Sequence, residues 1–383
     1  MIYLDNAATT FPKPISVVEE MGRCMREYGG NPGRGAHSLS LAAAGKVFEC
    51  REELCDMFCA SDVDRVFFTP NTTYGINTVL KGLLKKGDHV LISDMEHNAV
   101  WRPIERLARE GVIQYDVFKT YAESGYIAPW RICKSIERLM RPDTKAVVCT
   151  HASNICSFVM PVKEIGALCK RKGVLLITDG AQAAGHERID IKEMNISALC
   201  IPGHKGLYGP QGSGAVILGD GVVLDTIIEG GNGVASLEPE MPLQSPERYE
   251  AGTLSTPCIA GLCEGIRAVI SVGIDEIAYG ERQMGRRICE ILGNIKNVRL
   301  YASSYLGSIA LFNVVGIPSE VVANELDKRG VCARAGYHCA ALAHKTLDTP
   351  QGGAVRLSVG MYNKPSDLDE LYKSIVGISQ VTK

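Results

Sequence analysis

The sequence predicts an α/β fold with a mainly parallel sheet, followed by a smaller α+β region. The first observation is an alternation of short apolar runs with amphipathic helical stretches between residues 65 and 218. The second is that this alternation stops after about Gly230. Strands that alternate with helices are typical of βαβ units, whose parallel sheets are covered on both faces.

Length and composition narrow the class of protein. The 383 residues suffice for two domains, and we predict a large domain at 15–255 and a small α+β domain formed by 1–14 and 256–383. A net charge of −2 shows no bias toward nucleic acid or an anionic membrane. No signal peptide and no membrane span are recognisable. The fourteen cysteines are scattered through apolar segments, which favours a reducing cytoplasm.

The elements follow one another in a regular order. Residues 1–14 look extended and end in two prolines, a helix is predicted over 15–28, and Ser40 is predicted to cap a helix that reaches about Cys59. Strands are predicted at 65–69, 88–93, 112–118, 145–150, 174–178, 198–202 and 214–218, with helices at 72–84, 101–110, 130–140 and 162–172. Later, a helix is predicted at 258–272 and strands at 308–314 and 354–359.

The stretch from Val174 to Gly214 carries the strongest chemical signal. It places Asp179 and Gln182 directly after one apolar strand, and Lys205 after the next strand and before a Gly-rich turn. A lysine amine can form a Schiff base with a carbonyl cofactor, and a nearby carboxylate can keep a pyridinium nitrogen protonated. The stretch is therefore suited to an aldehyde cofactor.

Polar side chains also follow the other strands, at the points where each strand ends. Thr72 and Thr73 open a helix and could offer hydroxyl and N–H groups to a phosphate, although in isolation an ordinary threonine N-cap is the favoured interpretation. The remaining strand ends carry His97, Asn154, Asp179 with Gln182, and His204 with Lys205. Because ligands bind at the carboxyl ends of parallel strands, we expect these groups to converge on one ligand.

Cys339 differs from the other cysteines by its setting. The base expectation for a cysteine in this chain is a small buried hydrophobe, and three cysteines of the helix at 40–59 lack a metal-binding spacing, so no metal site is predicted. Cys339 lies in the irregular segment RAGYHCAALAH, close to Arg334, His338 and His344. Cationic neighbours raise the thiolate fraction that a sulfur nucleophile requires.

Several motifs together resemble one known family. DGAQAAGH, GHKGLYGPQGSGAV, EHNAVWRP, THASN, YEAGTLSTP and ARAGYHCAALAH resemble class V aminotransferase-fold cysteine desulfurases, in the branch with an R-x-G-x-H-C-A segment that includes selenocysteine-lyase-like proteins. The resemblance extends from LDNAATT to VRLSVGMYN. It implies a PLP-dependent transferase of fold-type I, with pyridoxal 5′-phosphate as cofactor, and a homodimer.

The resemblance implies a role for each matching residue. In the cofactor site, Lys205 would carry the cofactor, Asp179 would pair with the ring nitrogen, and Gln182 would bond the ring hydroxyl region. His97 would stack on the ring and move protons, and Asn154 would line the ring edge. The phosphate would be held by Thr72, Thr73, His204 and, from a second subunit, Thr253. At the substrate, Arg356 would clamp the carboxylate beside Asn154, and Cys339 would carry a persulfide.

The implied activity is conversion of L-cysteine to L-alanine with transfer of sulfur to Cys339, and onward to a sulfur-acceptor protein. Selenocysteine lyase activity is the alternative. Cleavage of the weaker C–Se bond in that reaction would depend less on Cys339. Amino-group transfer to a 2-oxo acid is a further reaction class, and it is less favoured because it offers no role for the HCA segment. A cofactor-free partner-binding protein is the non-enzyme alternative, and the presence of Lys205, Asp179 and Arg356 argues against it.

Two positions depart from the pattern of the family. Pro202 stands where relatives usually have Ser or Thr, so we expect one phosphate contact to be missing or replaced. Tyr337 stands where a second histidine is common, which would alter protonation around the thiolate.

Overall fold

The computed structural model describes residues 1–33, 35–122, 125–302 and 307–380. The strands are β1 (Ile2–Tyr3), β2 (Val66–Thr69), β3 (Asp88–Ser93), β4 (Ile113–Phe118), β5 (Tyr121–Ala122), β6 (Gly125–Tyr126), β7 (Thr144–Thr150), β8 (Leu175–Asp179), β9 (Ala198–Pro202), β10 (Gly214–Leu218), β11 (Val298–Tyr301), β12 (Ile309–Val314), β13 (Val331–Cys332), β14 (Arg334–Gly336) and β15 (Ala354–Ser358).

The helices of the described ranges match the predicted ones to within a few residues wherever a helix was predicted. They are α1 (Ile15–Arg23), α2 (Ser38–Met57), α3 (Thr72–Leu83), α4 (Asn98–Arg109), α5 (Pro129–Leu139), α6 (Val162–Lys172), α7 (Thr256–Val272), α8 (Ile274–Gly293), α9 (Ser319–Lys328), α10 (Ala341–Thr346) and α11 (Asp367–Ser379). One cap was predicted wrongly. His37, not Ser40, caps α2, because the His37 ring accepts the Ser40 N–H while the Ser40 hydroxyl donates to Asn31 O.

A seven-stranded sheet forms the centre of the molecule, in the order β2-β10-β9-β8-β7-β3-β4. Strand β10 runs antiparallel to both neighbours and every other pairing is parallel, which confirms the predicted mainly parallel α/β sheet. Alternate residues of each strand enter opposite cores. In β7, for example, Val147 and Cys149 pack into one apolar cluster, whereas Ala146 and Val148 pack into the other.

A second sheet of four antiparallel strands, β11-β12-β15-β14, lies in the C-terminal part of the chain. Its core includes Phe312 and Leu357, and the N-terminal Leu4 belongs to the same cluster. Strand β1 pairs in parallel with β13, so the first residues of the chain contact this region. The predicted boundary between a large and a small domain remains a prediction.

No single helix in the described ranges is long and apolar enough to cross a membrane. Within the part of the chain that the structure describes, one pair of helices, Thr256–Val272 and Ile274–Gly293, has the length and composition when taken together, and the two helices are bent by 78°.

Candidate active site

A cavity of about 240 Å³ lies where the carboxyl ends of β7, β8 and β9 face the first residues of α3 and α4. It gathers the polar residues that were predicted from five separate strand ends together with two from the C-terminal sheet region. The predicted residues that line it are Thr72, Thr73, His97, Asn154, Asp179, Gln182, His204, Lys205, Cys339 and Arg356. Residues distant in sequence by more than 260 positions therefore share one pocket.

Thr253 is the one predicted site residue that the structure places elsewhere. It is exposed and lies beside a separate cavity of about 730 Å³, together with Arg51 and Glu250. Those two charges satisfy each other through two hydrogen bonds of 3.0 Å. Arg51 and Glu250 of the larger cavity are therefore already paired with each other, whereas the smaller cavity holds the other predicted site residues.

Lys205 and Asp179 form the floor of the pocket. Asp179 is 2% exposed, and its Oδ1 accepts the Ala181 N–H at 2.9 Å. Burial raises the pKa of Asp179, while that hydrogen bond and the Lys205 charge oppose the rise. Burial lowers the pKa of Lys205 to about 8, and the Asp179 charge limits the drop. The lysine amine is consequently neutral in part near physiological pH.

One end of the pocket is suited to a phosphate. Helix α3 begins at Thr72, and its N-cap is Asn71, whose side chain accepts the Tyr74 N–H at 3.0 Å. The alternative of a simple threonine cap is therefore wrong. In the described ranges the buried Thr72 Oγ1 has no hydrogen-bond partner, and neither does His204 Nδ1. A helix N-terminus with two unpartnered polar atoms beside it attracts an anion.

Pro202 is the last residue of β9 and lines the same end of the pocket. Its ring provides no hydrogen-bond donor where a hydroxyl was expected from the family pattern. The unpartnered Thr72 Oγ1 and the exposed Thr73 remain as the nearby hydroxyls on this chain.

His97 and Gln182 flank the pocket on separate elements. His97 is the N-cap of α4, and its Nδ1 accepts the Ala99 N–H at 3.0 Å, which fixes the ring orientation. Burial lowers the pKa of His97 to about 4, so the imidazole is neutral at neutral pH. Gln182 donates one N–H to Ala7 O at 2.8 Å, which leaves its side-chain oxygen as an available acceptor.

Arg356 enters the pocket from β15 and is held on two sides. Its Nη1 donates to Asn154 O at 2.9 Å and its Nη2 donates to Asp5 Oδ1 at 2.7 Å. Its Nε is buried without a partner in the described ranges. The guanidinium therefore keeps unused N–H donors in a fixed orientation, as recognition of a carboxylate requires.

Cys339 lies in a strained turn immediately before α10. Both His338 (φ 49°) and Cys339 (φ 54°) are left-handed, at a cost of about 1–3 kcal/mol each. Their carbonyl oxygens are held from the strand ends of the large sheet. Asn154 Nδ2 donates to His338 O at 2.8 Å, and the Asn98 N–H donates to Cys339 O at 2.7 Å. The thiol is exposed and also lines the pocket.

The expected cationic setting of Cys339 needs a correction. Burial lowers the pKa of His338 to about 3 and that of His344 to about 4, so neither ring is a cation at neutral pH. The two rings stack with centroids 5.3 Å apart, and His338 Nδ1 lies 3.1 Å from His344 Nε2. Tyr337 packs edge-on against His344 and accepts the Gly352 N–H at 2.9 Å. The cations that line the pocket near Cys339 are Arg334, Arg356 and the protonated fraction of Lys205.

Two acidic residues that were not predicted bond to residues lining the pocket. Asp5, in the N-terminal LDNAATT segment, bonds Arg356 and also accepts from Arg334 Nε at 3.0 Å. Glu96 is fully buried next to His97, and its Oε1 accepts the Thr150 N–H at 2.9 Å. The only sign of these two residues in the sequence is their position. Asp5 follows β1, and Glu96 directly precedes His97.

The residues present fit pyridoxal 5′-phosphate. The pocket volume is close to the lower end of ligand pockets, roughly 300–1,000 Å³, which suits a single ring with short substituents. Asp179 offers a buried carboxylate to a ring nitrogen, while in the described ranges Thr72 Oγ1 and His204 Nδ1 are unpartnered at the phosphate end. Lys205 lines the same pocket and directly follows His204 in the chain.

The pocket lies at the carboxyl ends of a mainly parallel seven-stranded sheet. This is the architecture of fold-type I pyridoxal phosphate enzymes. The aminotransferase class-V family model matches residues 2–371. A probable cysteine desulfurase of Methanothermobacter thermautotrophicus is 35% identical over 99% of this chain and 94% of its own length. One of Pyrococcus abyssi is 32% identical over 98% and 95%. The chain therefore belongs to the aminotransferase class-V family, in its cysteine desulfurase group.

Solved structures agree with this placement. An apo cysteine desulfurase from Thermococcus onnurineus NA1 superposes with a TM-score of 0.90 at 28% identity, covering 99% of this chain and 94% of that one. A cysteine desulfurase from Escherichia coli gives a TM-score of 0.87 at 23% identity over 99% and 94%, and at that identity the likeness concerns the fold.

Proposed function

We propose that this protein is a cysteine desulfurase that uses pyridoxal 5′-phosphate to convert L-cysteine to L-alanine and leaves the sulfur as a persulfide on Cys339. The observation that carries the proposal is that Lys205, Arg356 and Cys339 line one small pocket. A buried amine, a carboxylate receptor and a thiol are the three groups that sulfur removal from an amino acid requires. The named relatives support the same activity.

The cofactor, when bound, supplies an electron sink for negative charge at the substrate α-carbon. Asp179 would pair with the ring nitrogen and keep it protonated, and Thr72, Thr73 and His204 would hold the phosphate. His97 is a neutral imidazole that can accept or donate a hydrogen bond, and it would stack on the ring. Asn154 would line the ring edge, and its backbone oxygen accepts a hydrogen bond from Arg356.

The substrate steps fall to Lys205, Arg356 and Cys339. Arg356 binds the carboxylate, and the neutral fraction of the Lys205 amine removes the α-proton. The Cys339 thiolate then attacks the substrate sulfur. A sulfur–sulfur bond forms at Cys339, the carbon–sulfur bond breaks, and its electron pair remains on the substrate carbon, which takes up protons to become alanine.

We further propose a homodimer, because Thr253 is exposed and outside the pocket of its own chain. In the proposed dimer the partner's Thr253 hydroxyl joins the phosphate end, where Pro202 provides no donor. Two domains, 15–255 and 1–14 with 256–383, would enclose the pocket between them. Light scattering during gel filtration should give twice the mass of one chain, and a monomer with full cofactor binding would contradict the dimer.

The proposed activity is tested with L-cysteine and L-selenocysteine in separate incubations, measuring alanine release and the mass of the peptide that contains Cys339. Wild-type protein should release alanine from L-cysteine and gain one sulfur atom on Cys339. Cys339→Ser should lose cysteine activity while keeping the visible cofactor absorbance. Cys59→Ser is the matched control, since Cys59 is also exposed but lies in the turn that follows α2 and does not line the pocket.

Each alternative outcome has a separate meaning. Retention of selenocysteine activity alone in Cys339→Ser would point to a selenocysteine lyase. A keto acid in place of alanine would point to amino-group transfer. Absence of alanine from both substrates in the wild-type protein would refute the proposal.

A further inference from the structure

Two arginines of the C-terminal sheet occupy directly opposed positions at the pocket. Arg334 on β14 and Arg356 on β15 are register partners in an antiparallel pair, so their side chains leave the same face of the sheet. Both line the pocket, and Arg356 is 2% exposed. Like charges in opposed positions repel, so this arrangement needs a compensating group.

Asp5 is that compensating group. Its Oδ1 accepts from Arg356 Nη2 at 2.7 Å, and its Oδ2 accepts from Arg334 Nε at 3.0 Å. The backbone of Asp5 is itself fixed by a parallel bridge to Ser358, two residues beyond Arg356 on the same strand. One carboxylate thus joins both guanidinium groups and is anchored to the strand that presents one of them.

The geometry points to Asp5 as a positioning residue for the substrate carboxylate, an inference that rests on the proposed function. Asp5 and the backbone oxygen of Asn154 take one N–H each from opposite ends of the Arg356 guanidinium. Since guanidinium has five N–H donors in one plane, two fixed donors set the direction of the others. An amino acid that carries a carboxylate benefits from this orientation, and an amine without one does not.

Charge compensation alone makes the opposite prediction. If Asp5 only reduced the positive charge of the pocket, its removal would strengthen the binding of a carboxylate. Asp5→Asn separates the two roles because it removes the charge and also presents an amide N–H to one of the arginines, where only an acceptor can bond. A neutral amide oxygen accepts a weaker hydrogen bond than a carboxylate, so Arg356 is held less firmly while the positive charge increases.

The test uses the cofactor-loaded enzyme and two ligands that differ by a carboxylate, L-alanine and ethylamine, with dissociation constants measured by calorimetry. Asp5→Asn should weaken L-alanine by at least about tenfold, as loss of a charge-assisted hydrogen bond predicts, and leave ethylamine unchanged. For L-cysteine, KM should rise by a similar factor with kcat nearly constant. Asp275→Asn is the matched control, because it removes the carboxylate that accepts from Arg188 Nε at 3.0 Å, and neither residue of that pair lines the pocket.

An unchanged or tighter L-alanine affinity in Asp5→Asn, or an equal loss for ethylamine, would overturn the inference. If Asp5→Asn does not fold, Asp5→Glu keeps the charge but moves the carboxylate by one methylene. That variant should also weaken L-alanine selectively, and wild-type affinity for L-alanine would overturn the inference. Failure of the proposed function is seen separately, as wild-type protein that releases no alanine from L-cysteine, while the two binding constants still decide the role of Asp5.

Discussion

Replacing Glu96 with glutamine should stabilise the protein in a pH-dependent way. Glu96 is fully buried, and burial raises its pKa from 4.5 to about 8. One carboxylate oxygen accepts from the Ser93 hydroxyl and from the Thr150 N–H, while Oε2 has no partner in the described ranges. The folded protein therefore holds Glu96 protonated at neutral pH, whereas the unfolded chain releases that proton.

The sign and size follow from proton linkage. Below pH 4.5 both states bind the proton, so Glu96 has no pH-dependent effect there. Between pH 4.5 and about 8 the unfolded state loses the proton first, and the free energy of unfolding falls by about 1.4 kcal/mol per pH unit. The loss reaches about 3 kcal/mol at pH 7 and about 5 kcal/mol above pH 8. A glutamine has a similar shape and does not incur this loss.

Thermal unfolding measures the difference. An unfolding entropy of about 2 cal/mol/K per residue gives roughly 1 °C per kcal/mol for a chain of 383 residues. Glu96→Gln should melt close to wild type at pH 5 and about 4–6 °C higher at pH 8.5. Glu19→Gln, on the exposed face of α1, should show no such trend. An equal shift at both pH values would refute the reasoning, because it would mean that Glu96 is ionised in the folded protein.

Three further predictions concern the framework and the pocket lysine. Gly166→Ala should lower the melting temperature despite the better helix propensity of alanine, because the added Cβ would lie 1.8 Å from Met194 O. Gly45→Ala adds a Cβ with nothing within 4 Å, so its free energy of unfolding should rise by up to about 1 kcal/mol. Arg51→Met should cost about 3–5 kcal/mol in urea unfolding, because it leaves a buried carboxylate unpaired; a loss under 1 kcal/mol would contradict this. In cofactor-free protein, acylation followed by mass spectrometry should show Lys205 titrating near 8, and titrating lower in Asp179→Asn; a rise would contradict the assigned charge interaction.

Much of the fold follows from local patterns in the sequence. Apolar runs of four to seven residues separated by amphipathic stretches predicted the strands of the large sheet, because each buried parallel strand must be apolar on both faces. The convergence of polar residues at strand ends then follows from parallel geometry. The order of the C-terminal sheet could not be predicted, since β14 and β15 pair across seventeen intervening residues that contain a helix.

The errors share one physical cause, which is that tertiary surroundings decide what a polar side chain does. Ser40 has the composition of an N-cap, but its hydroxyl is engaged by the preceding loop and His37 caps the helix instead. His338 was expected to be a cationic neighbour of Cys339, yet it is half-buried and desolvation lowers its pKa to about 3, so the ring is neutral. Asp5 carried no motif of its own, because its partners lie more than 300 residues away.

The strained turn at His338 and Cys339 has a consequence for how sulfur travels. Its two carbonyl oxygens accept hydrogen bonds from Asn98 and Asn154, which fix the turn against the wall of the pocket. Cys339 faces the pocket on one side and solvent on the other. In the proposed reaction, sulfur that reaches Cys339 from the pocket would therefore be open to an acceptor's nucleophile from the solvent side of the same turn.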